Sequence, residues 1–311
     1  MSLALVLLAA GAAATTPANA APLPPGPGWH LVWADEFNGT GIDPTRWTLA
    51  DDCWGGGNQE RQCYTPRASN AHVAHGQLVI TARKEAWRGP TYPQDLRDSA
   101  EKAAARAEKP FTSARLSTKG KAAWRYGRVE VRAKLPGGQG SWPAIWMLPA
   151  HDRYGHWAAS GEIDILETVN LGVPCAGCTS GREDHALGTI HFGGVPPANR
   201  HVGSETPIPA PVDGYHVYAV DWAPGAITWS IDGVPYETRH AGEWSTTGSA
   251  DPLAPFDQPF YLVLNLAIGG GLPESRNGGG VDSSGFPRTM MVDWVHVWQS
   301  DAAAAAPAAA Q

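Results

Sequence analysis

The chain has 311 residues, 43% of them hydrophobic, enough to bury the core of one large domain. Its formal net charge is −7, only 17% of residues are charged, and no basic run occurs, which argues against a nucleic-acid partner. Fourteen tryptophans in so weakly charged a chain suggest flat surfaces of the kind sugar rings stack on, although any single tryptophan is more often core.

Residues 1–20 read as a secretory signal: an apolar run covers 3–14 and Ala18-Asn19-Ala20 offers a small-residue cleavage site, although no Lys or Arg precedes the run. The run is too short to span a bilayer and no later stretch reaches its length, so a secreted product without a membrane anchor is expected. Residues 21–28 form a Pro-rich linker. A first strand is expected over 29–33. The three glycines of Gly55-Gly56-Gly57-Asn58 demand a loop. Leu78, Ile80 and Ala82 alternate with Val79, Thr81 and Arg83 as in a sheet strand. Residues 96–108 are Ala-rich and charged, which predicts a short surface helix. Val129, Val131, Ala133 and Leu135 alternate with Arg128, Glu130, Arg132 and Lys134, a half-buried strand.

Further strands are expected over 188–192, 216–222 and 227–231, with Ala223-Pro224-Gly225 and Asp232-Gly233 as turns. Strands over 260–268 and 290–298 complete the pattern, and residues 300–311 form an Ala-rich tail expected to be disordered. Four cysteines form two close pairs, Cys53/Cys63 and Cys175/Cys178. Disulfides suit an exported chain; zinc binding is the weaker alternative because the pairs lie far apart. Many short strands with Gly/Pro turns argue for a β-sandwich.

The most informative stretch is Ser160-Gly161-Glu162-Ile163-Asp164-Ile165-Leu166-Glu167. In a strand, Glu162 and Asp164 share one face while Ile163 and Ile165 share the other. Strict alternation would send Glu167 into the core, where an unpartnered carboxylate costs several kcal/mol. One extra residue near Leu166, a β-bulge, returns Glu167 to the acid face. Two carboxylates flanking a bond are the equipment of a glycosidase, one attacking the anomeric carbon and one protonating the leaving oxygen. A third acid between them couples to both. A merely solvated edge is the bland alternative, disfavoured because three acids with no interleaved Lys or Arg repel one another. Nor does the spacing match a calcium loop.

This stretch resembles the Glu-x-Asp-x-x-Glu signature of glycoside hydrolase family 16, in its laminarinase-type branch. Other matching stretches are Trp33-Ala34-Asp35-Glu36-Phe37-Asn38-Gly39, Gly57-Asn58-Gln59-Glu60, Trp142-Pro143-Ala144-Ile145-Trp146-Met147, Gly188-Thr189-Ile190-His191 and Asn265-Leu266-Ala267-Ile268-Gly269-Gly270. The resemblance covers about residues 29–299, which makes them one catalytic domain. It implies an all-β jelly-roll sandwich of two curved antiparallel sheets with a substrate cleft on the concave face. It further implies a secreted, retaining endo-β-1,3-glucanase, monomeric, acting on β-glucan with no catalytic cofactor. Glu162 resembles the nucleophile, Glu167 the general acid/base, and Asp164 the residue assisting the nucleophile. Trp142, Trp146 and Trp157 resemble sugar-stacking residues, and Asn58 and His191 hydrogen-bonding groups near the cleaved bond. Glu36, the Gly76 carbonyl and Asp293 resemble a structural calcium site on the far face.

Competing readings are a mixed-linkage β-1,3-1,4-glucanase, a galactan hydrolase, and a glucan-binding recognition protein of the same fold. Recognition proteins lack the glutamates that this chain retains at 162 and 167. Ala158 stands where the family usually has Pro, Phe111 where Tyr is common, and the loops at 86–110 and 171–186 are long. Loops build cleft walls, so these departures bear on substrate choice.

Overall fold

The computed structural model describes residues 25–305. The signal segment, the first half of the linker (residues 21–24) and residues 306–311 therefore lie outside the described residues. Seventeen strands follow in chain order among the described residues. They begin with β1 (Trp29–Asp35), β2 (Thr48–Leu49), β3 (Gln62–Tyr64), β4 (Ala71–Ala74), β5 (Gln77–Pro90), β6 (Arg106–Ser113), β7 (Arg115–Ser117), β8 (Gly127–Lys134) and β9 (Ser141–Pro149). They continue with β10 (Glu162–Glu167), β11 (His185–Gly193), β12 (Asn199–Pro207), β13 (His216–Ala223), β14 (Ala226–Ile231), β15 (Val234–His240), β16 (Phe260–Ile268) and β17 (Arg288–Ser300).

The strands form two stacked sheets, a jelly-roll sandwich. A seven-stranded sheet runs β12-β11-β10-β9-β16-β7-β2. A ten-stranded sheet runs β15-β14-β13-β8-β17-β5-β6-β3, with β1 also on β17 and β4 on β5. Every strand pair is antiparallel except β3 with β6, which is parallel. The core lies between the sheets. Val129, Val131, Val295 and Val297 enter it from one side, and Ile145, Met147, Ile163, Leu262 and Leu264 from the other. Burial of this continuous apolar layer is the main stabilising term of the fold.

β8 shows the period-2 burial its sequence predicts, with Val129, Val131 and Ala133 inside and Arg128, Glu130, Arg132 and Lys134 outward. β16 is buried along its whole length. Leu262, Leu264 and Leu266 face the core, while the opposite face carries Asn265 and Ala267 into the cleft.

The expected bulge in β10 is present. Pairing with β11 runs Asp164↔Thr189 and resumes at Glu167↔Leu187; pairing with β9 shifts between Asp164 and Leu166. Ile163, Ile165 and Leu166 are all buried. The ladder interruption would leave backbone groups without partners. Trp229 of β14 reaches across from the other sheet and donates its indole N–H to the Asp164 carbonyl at 2.8 Å. Trp229 needs room: a Cβ on Gly188 of β11 would lie 2.6 Å from its ring and 2.5 Å from the Tyr236 hydroxyl. Only glycine fits there.

Two local readings change. The helix expected over 96–108 is one short helix, α1 (Ala100–Ala104), capped by the Ser99 hydroxyl, preceded by a 3-10 turn at Gln94–Leu96. Residues from Arg106 onward join β6, because pairing with β5 outweighs the helix preference of alanines. The tail expected to be disordered begins with a helical turn, Asp301–Ala305, which alanine-rich sequence favours. Both cysteine pairs are disulfides, Cys53–Cys63 and Cys175–Cys178.

Candidate active site

The acid face of β10 lies at the floor of a pocket on the seven-stranded sheet. Glu162, Asp164 and Glu167 line it together, with Trp142, Ala144 and Trp146 from β9, Asn265 and Ala267 from β16, and Arg115 from β7. Gly56, Asn58 and Glu60 form a lip from the glycine loop, and Tyr64 of β3 adds to it. The glycine loop is needed because Gly55, Gly56 and Gly57 all adopt positive φ.

Each carboxylate has a distinct environment. Glu162 Oε2 accepts the Trp157 indole N–H at 2.8 Å, and its Oε1 lies 3.7 Å from His191 Nε2. Asp164, 3% exposed, is hydrogen-bonded to Glu162, and its Oδ2 lies 3.2 Å from His191 Nε2. Glu167 Oε1 accepts the Trp142 indole N–H at 2.9 Å. The two terminal acids thus each receive an indole N–H, while the middle one depends on its neighbours.

Burial dominates the titration of all three. It pushes Glu162 up to about 8, with the Asp164 charge adding to the rise and His191 and the Trp157 N–H opposing it. Asp164 is raised well above the ordinary carboxylate range, first by burial and then by Glu167. Glu167 is raised by burial, against the pull of the Trp142 N–H, His191 and Arg276. Packed like charges cannot all ionise at once, so the three titrate as a coupled set, each raised from the ordinary carboxylate range.

The tryptophans differ in role. Trp157 is 40% exposed, with its ring 5.6 Å from that of His191. Trp146 is half-buried, fixed by its N–H to Asn265 Oδ1 at 2.6 Å and by the Arg115 guanidinium 4.7 Å over its ring. Trp142 is only 9% exposed and packs with Val169 and Ala267, so little of its face is left for a sugar. Its contribution is the hydrogen bond to Glu167. Asn58 is exposed at the lip, 3.5 Å from Glu60 Oε1.

Sequence reading assigned no role to Glu60, Tyr64, Arg115 or Asn265. Glu60 is buried and accepts from Gln62 at 2.6 Å and from the Tyr64 hydroxyl at 3.3 Å, which anchors the lip. Its position three residues after the glycines and the placement of Asn265 in an otherwise apolar run were the available signals: a polar residue in a buried strand needs a partner.

Glu36, Gly76 and Asp293 lie on the other sheet, away from the pocket. His296 Nε2 lies 2.6 Å from Glu36 Oε1, and Asp293 pairs with Arg132 and accepts from Gln77 Nε2 at 3.4 Å. A guanidinium beside a carboxylate opposes a divalent cation there, so this arrangement does not fit the calcium expected from the sequence. Within the pocket, donor atoms of Glu162, Asp164 and His191 lie within 4.8 Å of one another. The hydrogen bond between the two acids accounts for their closeness.

The family described as glycosyl hydrolases family 16 matches residues 59–296. A beta-glucanase of Rhodothermus marinus is 40% identical over 283 residues, covering 88% of this chain and 86% of that protein. Glucan endo-1,3-beta-glucosidase A1 of Niallia circulans is 40% identical over 285 residues, covering 88% of this chain but only 38% of that longer protein. The X-ray structure of the laminarinase from Rhodothermus marinus aligns with a TM-score of 0.70 at 38% identity, over 88% of this chain and 98% of that one. The match spans both sheets and the bulged acid strand, and the chain belongs to glycosyl hydrolases family 16: it is a glycoside hydrolase.

Proposed function

We propose that the protein is a secreted endo-β-1,3-glucanase that hydrolyses β-glucan with retention of configuration. The observation that carries this is the bulge in β10, which sets Glu162 and Glu167 on one face of one strand with Asp164 between them. The names of the similar proteins, a laminarinase and glucan endo-1,3-beta-glucosidases among them, support the substrate. The acidic balance gives no support to a sulfated galactan, which would call for a basic cleft. The leader at 1–20 and the two disulfides support export.

In this reading Asp164 and Glu162 share one proton across their hydrogen bond, and it sits on Asp164 when Glu162 attacks. The charge then rests on Glu162, where the Trp157 N–H meets it. A proton on Asp164 also removes the repulsion that raises Glu162. Glu162 attacks the anomeric carbon while Glu167, kept protonated by burial, gives its proton to the departing oxygen. Once Glu162 is esterified its charge is gone and the pKa of Glu167 falls. Glu167 then takes a proton from water, the water oxygen bonds to the anomeric carbon, and Glu162 leaves. Family 16 chemistry needs no catalytic cofactor.

Retention requires the two carboxyls at roughly 5–5.5 Å, whereas inversion needs about 6.5–9.5 Å to admit a water. NMR of the first product released from laminarin should show the β-anomer. An initial α-anomer overturns the mechanism, and a panel on which lichenan or agarose is hydrolysed faster than laminarin overturns the substrate.

A further inference from the structure

We propose that Trp54 and Tyr92 form a remote sugar-binding platform that holds the β-glucan chain after it leaves the catalytic pocket; this rests on the glucan substrate proposed above. Trp54 is 41% exposed, one of the few large apolar side chains on the surface. Its ring lies 5.3 Å from that of Tyr92, tilted by 36°. Neither residue belongs to the hydrophobic core, and neither serves the acid face of β10.

The pair is built rather than accidental. Trp54 follows Cys53, which is tied by a disulfide to Cys63 of β3. The Cys53 backbone N–H donates to the Pro90 carbonyl at 2.7 Å, joining the Trp54 segment to the end of β5. Arg97 donates to the Asp51 carbonyl and, at 2.8 Å, to the Tyr92 carbonyl, joining the same two segments again. An exposed tryptophan backed by a half-buried tyrosine and fixed in this way meets a ligand without first having to be ordered.

Its position relates it to the cleft. Gly56 and Asn58, on the same loop as Trp54, line the catalytic pocket. Trp54 also follows β2, the outermost strand on that side of the seven-stranded sheet. Trp54 lies two residues before Gly56, at most about 7 Å of chain from the pocket lining. A polymer lying across the sheet from Glu162 past Trp146 and the Asn58 lip would meet Trp54 and Tyr92 next, beyond the sugars that occupy the pocket. Pyranose rings present apolar C–H faces, and aromatic faces are their complement. The tilt between the rings suits a chain that turns from one sugar to the next. The long 86–110 segment, which supplies Tyr92, therefore acts as a cleft extension.

The test compares Trp54→Ala and Tyr92→Ala with the wild type on polymeric laminarin and on a β-1,3-linked tetrasaccharide, which has too few sugars to fill the pocket on both sides of the cleaved bond and cover the platform as well. Each variant should raise KM for the polymer roughly tenfold, the effect of about 1.4 kcal/mol. kcat on the polymer and kcat/KM on the tetrasaccharide should stay within about twofold, and Trp54→Phe should recover most of the polymer affinity. Retardation of the wild type in a laminarin-containing native gel should fall in both alanine variants. Unchanged polymer KM in a wild type that does cleave laminarin overturns the platform alone, as does an equal loss on both substrates. A wild type that neither cleaves nor binds laminarin overturns the substrate reading, and the platform's ligand with it.

Discussion

On the outer face of the ten-stranded sheet, Arg128 pairs with both Glu130 and Asp221, and Arg132 pairs with Asp293. On the concave face, Glu162, Asp164 and Glu167 meet one another, and the ion-pair partner of the first two among the described residues is His191. Both sets sit on β-strands with alternating faces. On the outer face each carboxylate meets a guanidinium, which opposes the rise that burial gives Asp221, and the carboxylate is then a structural element. On the concave face burial without a matching Lys or Arg leaves protons held where carboxylates ordinarily lose them. The same side-chain chemistry thus gives scaffold on one face and reactivity on the other, according to the partner supplied.

The largest effect that separates the faces is on turnover. Glu162→Gln should lower kcat by roughly 10³-fold or more while the thermal transition stays cooperative, and azide should partly restore a Glu162→Ala variant by attacking in its place. Near-normal turnover of Glu162→Gln would remove the nucleophile assignment.

Next is Asp164→Asn, which takes one member out of the coupled set. It should lower kcat and move the limbs of a bell-shaped kcat/KM profile, whose acidic limb follows Glu162 with Asp164 and whose basic limb follows Glu167. Stability carries a matching sign. Folded-state values of these acids are raised, so their contribution is fully present below the ordinary carboxylate range and is lost as pH rises toward about 8, the value of Glu162. Asp164→Asn should therefore gain in Tm relative to wild type as pH increases through that window. A Tm difference independent of pH shows that Asp164 is not part of the titrating set.

On the outer face the expectation reverses. Arg128→Met leaves Glu130 and Asp221 without their guanidinium and should cost about 2 kcal/mol in denaturant unfolding with kcat/KM unchanged. A loss of activity without a loss of stability would erase the contrast between the faces.

The smallest effect probes how the concave face is held. Trp229→Phe keeps most of the ring but removes the N–H to the Asp164 carbonyl, for about 1 kcal/mol and a modest fall in kcat as the bulge loosens. An unchanged kcat with full stability would show that the bulge needs no support from the opposing sheet.

The acid strand was legible from sequence because its physics is local. Ile163 and Ile165 set the alternation, and the cost of burying Glu167 required the bulge that the register contains. The strand Val129 to Ala133 was legible for the same reason, apolar periodicity reporting which face is buried, whereas Phe260–Ile268 was legible as an apolar run buried along its whole length. Periodicity does not report partners. That Trp229 would come from another sheet to the Asp164 carbonyl, that Gly188 must lack a side chain to admit it, and that Asn265 and Arg115 would fix Trp146 depends on which strands become neighbours. Trp142 resembled a sugar-stacking residue in sequence, and its packing against Ala267 could not be read there because Ala267 lies over a hundred residues away, on β16. Asp293 read as a metal ligand until Arg132 appeared beside it across β8 and β17. The sequence thus determined the acid face, its bulge and the apolar layers, each a property of neighbours along the chain. Tertiary structure alone decided which charge meets which, because pairing across sheets joins residues whose separation in sequence carries no signal.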